Sequence, residues 1–248
     1  MAREANDVIA DTVRRRPDRF QGFATLPTSA PEEAGRELER AVTQLGLDGA
    51  MLFGRTGDRN LDHPDFRPIL EAAAALRAPL YIHRQTPQPG VRAAYYQSLG
   101  DDIETSLATY GLGWHFESGI QAIRLILSGV FEALPDLRLI LGHWGEMVLF
   151  YLDRIDANTP AADLPRPVSD YFRTNVWITS GGILSQRYLR WATEVVGADH
   201  IMCATDYPFP PVEPHGNRRF LEGSELTEED REKVASGNWE KLRAAIRR

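Results

Sequence analysis

An α/β fold of the (β/α)8-barrel kind, short at its N-terminal end, is predicted by this sequence on three observations. Strand-like runs alternate with helical periods along all 248 residues. Three of the clearest runs, ending at His83, His143 and Asp206, finish in a group able to bind metal or move a proton. In a (β/α) barrel the C-terminal strand ends converge on one mouth, where active sites are built. Only six strands can be read, two fewer than a closed barrel needs.

The elements follow in order. Residues 4–15 read as helix, stopped by Arg16-Pro17, and Phe20–Leu26 as a strand that stops at Pro27. Ser29-Ala-Pro-Glu32 begins a helix, with a hydroxyl three residues before a carboxylate and proline in the first turn. Ala34, Leu38, Ala41, Val42 and Leu45 then fall on one helical face. Gly49–Phe53 and Pro79–Ile82 are buried strands on either side of a helix near 65–77. Residues 84–100 form a polar and aromatic loop, and 115–133 a helix burying Ile120, Ile123, Leu127 and Val130. Asp136–Leu141 is a strand and 145–157 a helix. Val176–Ser180 and Ile201–Ala204 are strands separated by a helix at 184–197. The tail from Leu226 is helical and is expected to pack on the outside. This order implies a parallel sheet with right-handed crossovers.

At 27.9 kDa the chain fits a single domain over 1–248, since barrels of ~200–250 residues form one unit. A net charge of −7 argues against a nucleic-acid surface. The lone cysteine, Cys203, permits no internal disulfide and fits a reducing cytoplasm. There is neither an apolar run of ~18 residues nor a charged-then-apolar leader, so no membrane insertion or secretion is expected.

His83 at a strand end is a natural ligand for zinc or manganese; the plainer reading is a core histidine. His143 lies in Gly142-His-Trp-Gly145, where glycines allow a tight turn and close substrate approach. Glu146, three residues on, can hold the His143 tautomer as a general acid/base requires; alternatively it is an acidic residue at a helix N-terminus. Asp206, in Thr205-Asp-Tyr-Pro-Phe209, is a metal ligand, a proton carrier or both, or else an Asx-turn residue. His115 and Glu117 reach the site only if residues 84–114 fold over the mouth. His63, before Pro64 at a helix entry, reads as structural, His200 and His215 as bystanders, and Cys203 as core.

Ala5-Asn-Asp7, Pro17–Phe23, Glu37–Arg40, Glu117–Ser128, Leu141-Gly-His-Trp-Gly-Glu146 and Thr205–Phe209 together resemble the metal-dependent amidohydrolase superfamily. The branch is that of aminocarboxymuconate-semialdehyde decarboxylase, and within it the chain is most similar to the γ-resorcylate and 2,3-dihydroxybenzoate decarboxylases. The resemblance implies non-oxidative decarboxylation of a small aromatic or unsaturated carboxylic acid, using a divalent metal, zinc or manganese. His83 and Asp206 would be metal ligands, and His143, Glu146 and Asp206 catalytic. Asp206 or a water on the metal would protonate the carbon losing carbon dioxide. A homo-oligomer, dimer or tetramer, is implied as well.

The family pattern also has a Glu-x-His or His-x-His pair on its first strand, which this sequence lacks. The expectation is therefore a chain without that strand: a fragment, an alternative start, or a relative that has lost it. Arg84 stands where proline is usual after the histidine, and Gln121 where histidine is common. The rival readings are a hydrolase of an ester, lactone or amide, and a non-catalytic homologue.

Overall fold

Among the described residues there are seven strands, and the five that form from apolar runs make one parallel sheet. A computed structural model describes residues 1–209, 213 and 215–248. The sheet joins β1 (Ala50–Phe53), β4 (Leu80–His83), β5 (Leu139–Leu141), β6 (Val176–Thr179) and β7 (Ile201–Met202), in that order. Between β1 and β4, Arg55–Thr56 (β2) and Arg59–Asn60 (β3) make a small antiparallel hairpin that the sequence did not announce.

The period-two alternation of strands divides the sheet into two faces. Ala50, Leu52, Leu80, Ile82, Leu139, Leu141, Val176, Ile178 and Ile201 join one large core with the flanking helices. The helices Pro31–Thr43 and Arg67–Leu76 supply Leu38, Val42, Ile69 and Leu70 to it. The opposite face carries Tyr81, Ile140, Trp177 and Met202. The tail was expected on the outside, yet its helix Asn238–Ala244 sets Leu242 and Trp239 against this second face. Trp239 also packs on Phe23, ring centroids 5.5 Å apart.

The predicted strand at 20–26 reduces to one bridge, Ala24 with Ala50. The reason lies one residue on. The buried Asn6 amide accepts from the Thr25 N–H at 2.8 Å and donates to its carbonyl at 3.0 Å. A side chain thus takes the pairing that another strand would make, and Glu37 accepts its second N–H at 2.7 Å. Among the described residues the sheet is open, running from the bridged Ala24 to β7.

Other boundaries shift. The loop at 84–100 contains a helix, Pro89–Tyr95, started by a proline whose missing N–H costs nothing there. The helix at 115–133 begins earlier, at Gly113, and breaks after Leu127, where Gly129 takes φ +72° before Val130–Ala133 resumes. The helix expected from 145 begins at Val148. Of the 208–222 loop, residues 210–212 and 214 lie outside the described residues. Among the described residues no helix is long and apolar enough to cross a membrane.

Candidate active site

The site stands on the C-terminal ends of β4, β5 and β7. His83 is the last residue of β4, rather than just beyond it, and pairs in register with Phe53. Alternation along β4 buries Leu80 and Ile82 in the large core and turns Tyr81 and His83 to the other face. Two residues beyond β5, the chain makes a single turn, His143–Glu146. Five consecutive residues there have positive φ: His143 (43°), Trp144 (58°), Gly145 (81°), Glu146 (53°) and Met147 (69°). This left-handed turn replaces the predicted helix start and folds Glu146 back onto His143.

His143 Nδ1 lies 2.7 Å from Glu146 Oε1, and His115 Nδ1 lies 2.6 Å from Glu146 Oε2. Glu146 is 1% exposed. Its burial favours the neutral acid, but hydrogen bonds first from His115 and then from His143 outweigh it and hold the carboxyl below its usual range. Burial likewise works against charge on His115, but the Glu146 hydrogen bond, the Glu146 charge and a bond to the Tyr110 carbonyl together outweigh it and raise that imidazole. The two rings meet edge to face, 4.7 Å apart.

On the far side of His143, Nε2 lies 3.5 Å from Asp206 Oδ2. Asp206 also accepts from Arg84 Nη2, at 3.0 Å to Oδ1 and 3.1 Å to Oδ2. His83 Nδ1 lies 3.2 Å from the Arg84 carbonyl oxygen. Burial, followed by the positive charge of Arg84, pushes His83 below its ordinary value and keeps it neutral. Below these groups Tyr81 is linked to Thr179 at 3.0 Å, and burial pushes its phenol up to about 12. Two cavities, of about 490 and 580 Å³, share His83, Arg84, His143 and Asp206 as walls. Tyr110, Trp114, Ile183 and Phe209 give the smaller one apolar sides.

The structure thus brings His83, His143, Glu146 and Asp206 into one mouth. His115 joins them because the Gly113–Leu127 helix lies against the turn: a Cβ on Gly119 would sit 2.5 Å from the Glu146 carbonyl oxygen. Glu117 instead pairs with Arg55 at 3.5 Å, with burial raising its carboxyl. Gln121 donates to the Asn60 side chain and accepts from the Leu61 N–H. His63 accepts from the Asp65 N–H at the head of a short helix, and His200 stacks on Trp177. Cys203 follows β7 and packs half-buried against the large core, as expected, while its other side lines the larger cavity. The sequence missed Arg84 as a member of the site.

The donor set fits a divalent cation. His83 is held neutral with Nδ1 on a carbonyl, which leaves Nε2 as the lone-pair nitrogen, and Asp206 supplies a carboxylate. His115, His143 and Glu146 also place ligand atoms within 4.8 Å of one another. Both Glu146 oxygens hold an imidazole nitrogen there, just as both Asp206 oxygens meet Arg84, so in either group an ion would exchange places with a hydrogen bond.

A sheet whose strand ends gather histidines and a carboxylate defines a metal-assisted enzyme class on a barrel-like α/β scaffold. The family model described as Amidohydrolase matches residues 1–242. A γ-resorcylate decarboxylase of Rhizobium radiobacter is 36% identical over 256 residues, covering 98% of this chain and 75% of the relative. The crystal structure of 5-carboxyvanillate decarboxylase from Sphingomonas paucimobilis aligns with a TM-score of 0.89 at 36% identity, over 98% of this chain and 72% of that one. That of a dihydroxybenzoic acid decarboxylase from Polaromonas sp., with bound manganese and the inhibitor 2-nitroresorcinol, gives 0.89 at 34%, over 98% and 74%. The chain belongs to the amidohydrolase family, and these relatives are its decarboxylases.

Proposed function

We propose that this protein is a metal-dependent, non-oxidative decarboxylase of a small aromatic carboxylic acid. The observation that carries the reading is the line Glu146–His143–Asp206 in a mouth with apolar walls, in a chain 36% identical to a γ-resorcylate decarboxylase. His83 and Asp206 would hold the divalent ion, manganese or zinc; bound there, it supplies Lewis acidity toward the substrate's oxygens.

The chain's own groups do the rest. Glu146 fixes the His143 tautomer with Nδ1–H toward the carboxylate, leaving Nε2 to exchange a proton with Asp206. Asp206 carries that proton to the ring carbon bearing the carboxylate. The carbon–carbon bond then breaks, its electron pair returns to the ring, and carbon dioxide leaves. Trp114, Ile183 and Phe209 exclude water and pack the ring.

The reading includes a cytoplasmic location and a homo-oligomer, dimer or tetramer. The oligomer is supported by the exposed Phe150 and Tyr151 (71% and 54%), which line a cavity shared with His143, and light scattering tests it. The deciding experiment incubates the manganese-loaded protein with dihydroxybenzoates and measures carbon dioxide and the matching dihydroxybenzene. Ester, lactone or amide cleavage without carbon dioxide would make it a hydrolase. Absence of both reactions, with a stable oligomer, would support a non-catalytic homologue.

A further inference from the structure

Arg84 is 8% exposed and lines both cavities of the mouth, yet most of its hydrogen-bonding capacity is idle. A guanidinium has five N–H donors arranged for planar recognition of a carboxylate. Here Nη2 alone makes both contacts to Asp206. Nε is buried without a hydrogen-bond partner, and none is found for Nη1 among the described residues. A buried donor left unpaired is costly unless a ligand satisfies it. The guanidinium is held in place rather than free to drift, because its carbon lies 5.3 Å from the centroid of the Trp114 ring.

The same cavity adds a second requirement. Its Tyr110, Trp114, Ile183 and Phe209 walls suit a flat apolar body, and Arg84 is the only arginine or lysine among its lining residues. An occupant that uses both features is a ring carrying an anionic group.

We propose that Arg84 is the specificity-determining receptor for the substrate's carboxylate. It keeps its Nη2 contact to Asp206 while the idle part of the fork receives the ligand. This inference rests on the decarboxylase reading for the identity of the acid, but its test does not depend on turnover.

The experiment is a rapid-mixing titration that reads Trp114 fluorescence before turnover, on the manganese-loaded wild type, Arg84→Met and Arg84→Lys, with 2,6-dihydroxybenzoate and with resorcinol, the same ring without the carboxylate. In the wild type the carboxylate should bind more tightly than resorcinol. Arg84→Met should weaken the carboxylate about ten- to a hundred-fold and leave resorcinol within about two-fold. Arg84→Lys keeps a charge opposite Asp206 but loses the fork, so it should fall between the two; it decides the matter alone if Arg84→Met does not fold. Equal losses for both ligands, or no loss for either, would overturn the receptor role, as would a wild type with no preference for the carboxylate. A wild type that prefers the carboxylate but releases no carbon dioxide would overturn the decarboxylase reading and leave the receptor standing.

Discussion

Glu146 accepts one imidazole on each oxygen, and its charge state is linked to that of His115. The His115 value in the folded chain lies above its ordinary 6.5, so its contribution to stability is complete below that pH and is lost as pH rises through the folded value. Glu146 lies below its ordinary 4.5, so its contribution is complete above that pH and is lost as pH falls through the folded value. Their mutual support is therefore greatest between pH 4.5 and 6.5. Denaturant melts should show the widest stability gap between wild type and His115→Ala in that window, narrowing toward alkaline pH; a pH-independent gap would refute the pairing. Across the mouth, His143→Ala should lower turnover by about 10²–10⁴-fold while most metal is retained. Asp206→Ala should lose both, as read by carbon dioxide release and elemental analysis.

At the scale of elements, the contact between the Gly113–Leu127 helix and the left-handed turn decides whether His115 belongs to the site. Gly119 permits that contact: a Cβ there would meet the Glu146 carbonyl oxygen at 2.5 Å and Val148 Cγ2 at 2.9 Å. Gly119→Ala should push the helix outward, cost about 1–3 kcal/mol and detach His115 from Glu146. Thermal melts would read the first effect and the histidine NMR titration the second. The sequence made part of this legible. The spacing of the apolar residues showed the helix but rotated its buried face: Ile120, expected in the core, is exposed, while Ala122, Ile123, Leu125 and Ile126 are buried; the glycines around His143 announced a tight turn. Nothing local placed Gly119 on that turn or paired Arg84 with Asp206, 122 residues away. The positive φ of His143, Trp144, Glu146 and Met147 likewise overrides residue preference through tertiary packing.

The molecule as a whole is a sheet with one thickly covered face and one sparsely covered face. The parallel sheet and its strand ends were legible from short apolar runs and from their regular interleaving with helices. The tail was not legible: Trp239 and Leu242 mark an apolar stripe whose destination only the folded sheet reveals. On the sparse face Phe53 stays 55% and Met51 39% exposed. A metal bound between His83 and Asp206 would tie β4 to the segment after β7, favouring the folded state by mass action. At a hundredfold excess over its dissociation constant the ion should add about 2.7 kcal/mol, or roughly 5–10 °C in melting temperature for a chain of this size. Scanning calorimetry with manganese and with chelator checks this, and coincident curves would argue against a site formed in the native state.

The left-handed turn also bears on how related sequences are compared and how this one could be engineered. A residue retained across homologues between 143 and 147 need not touch a substrate, because backbone handedness restricts what can stand there. Met147 separates the two demands, since it has φ +69°, is 41% exposed and follows the carboxylate that holds His143. Met147→Gly should raise stability by about 1 kcal/mol through relief of that handedness, measured by denaturant titration, with turnover unchanged. Variant libraries aimed at thermal resilience could then begin one position from the reaction centre, a region such libraries customarily leave alone.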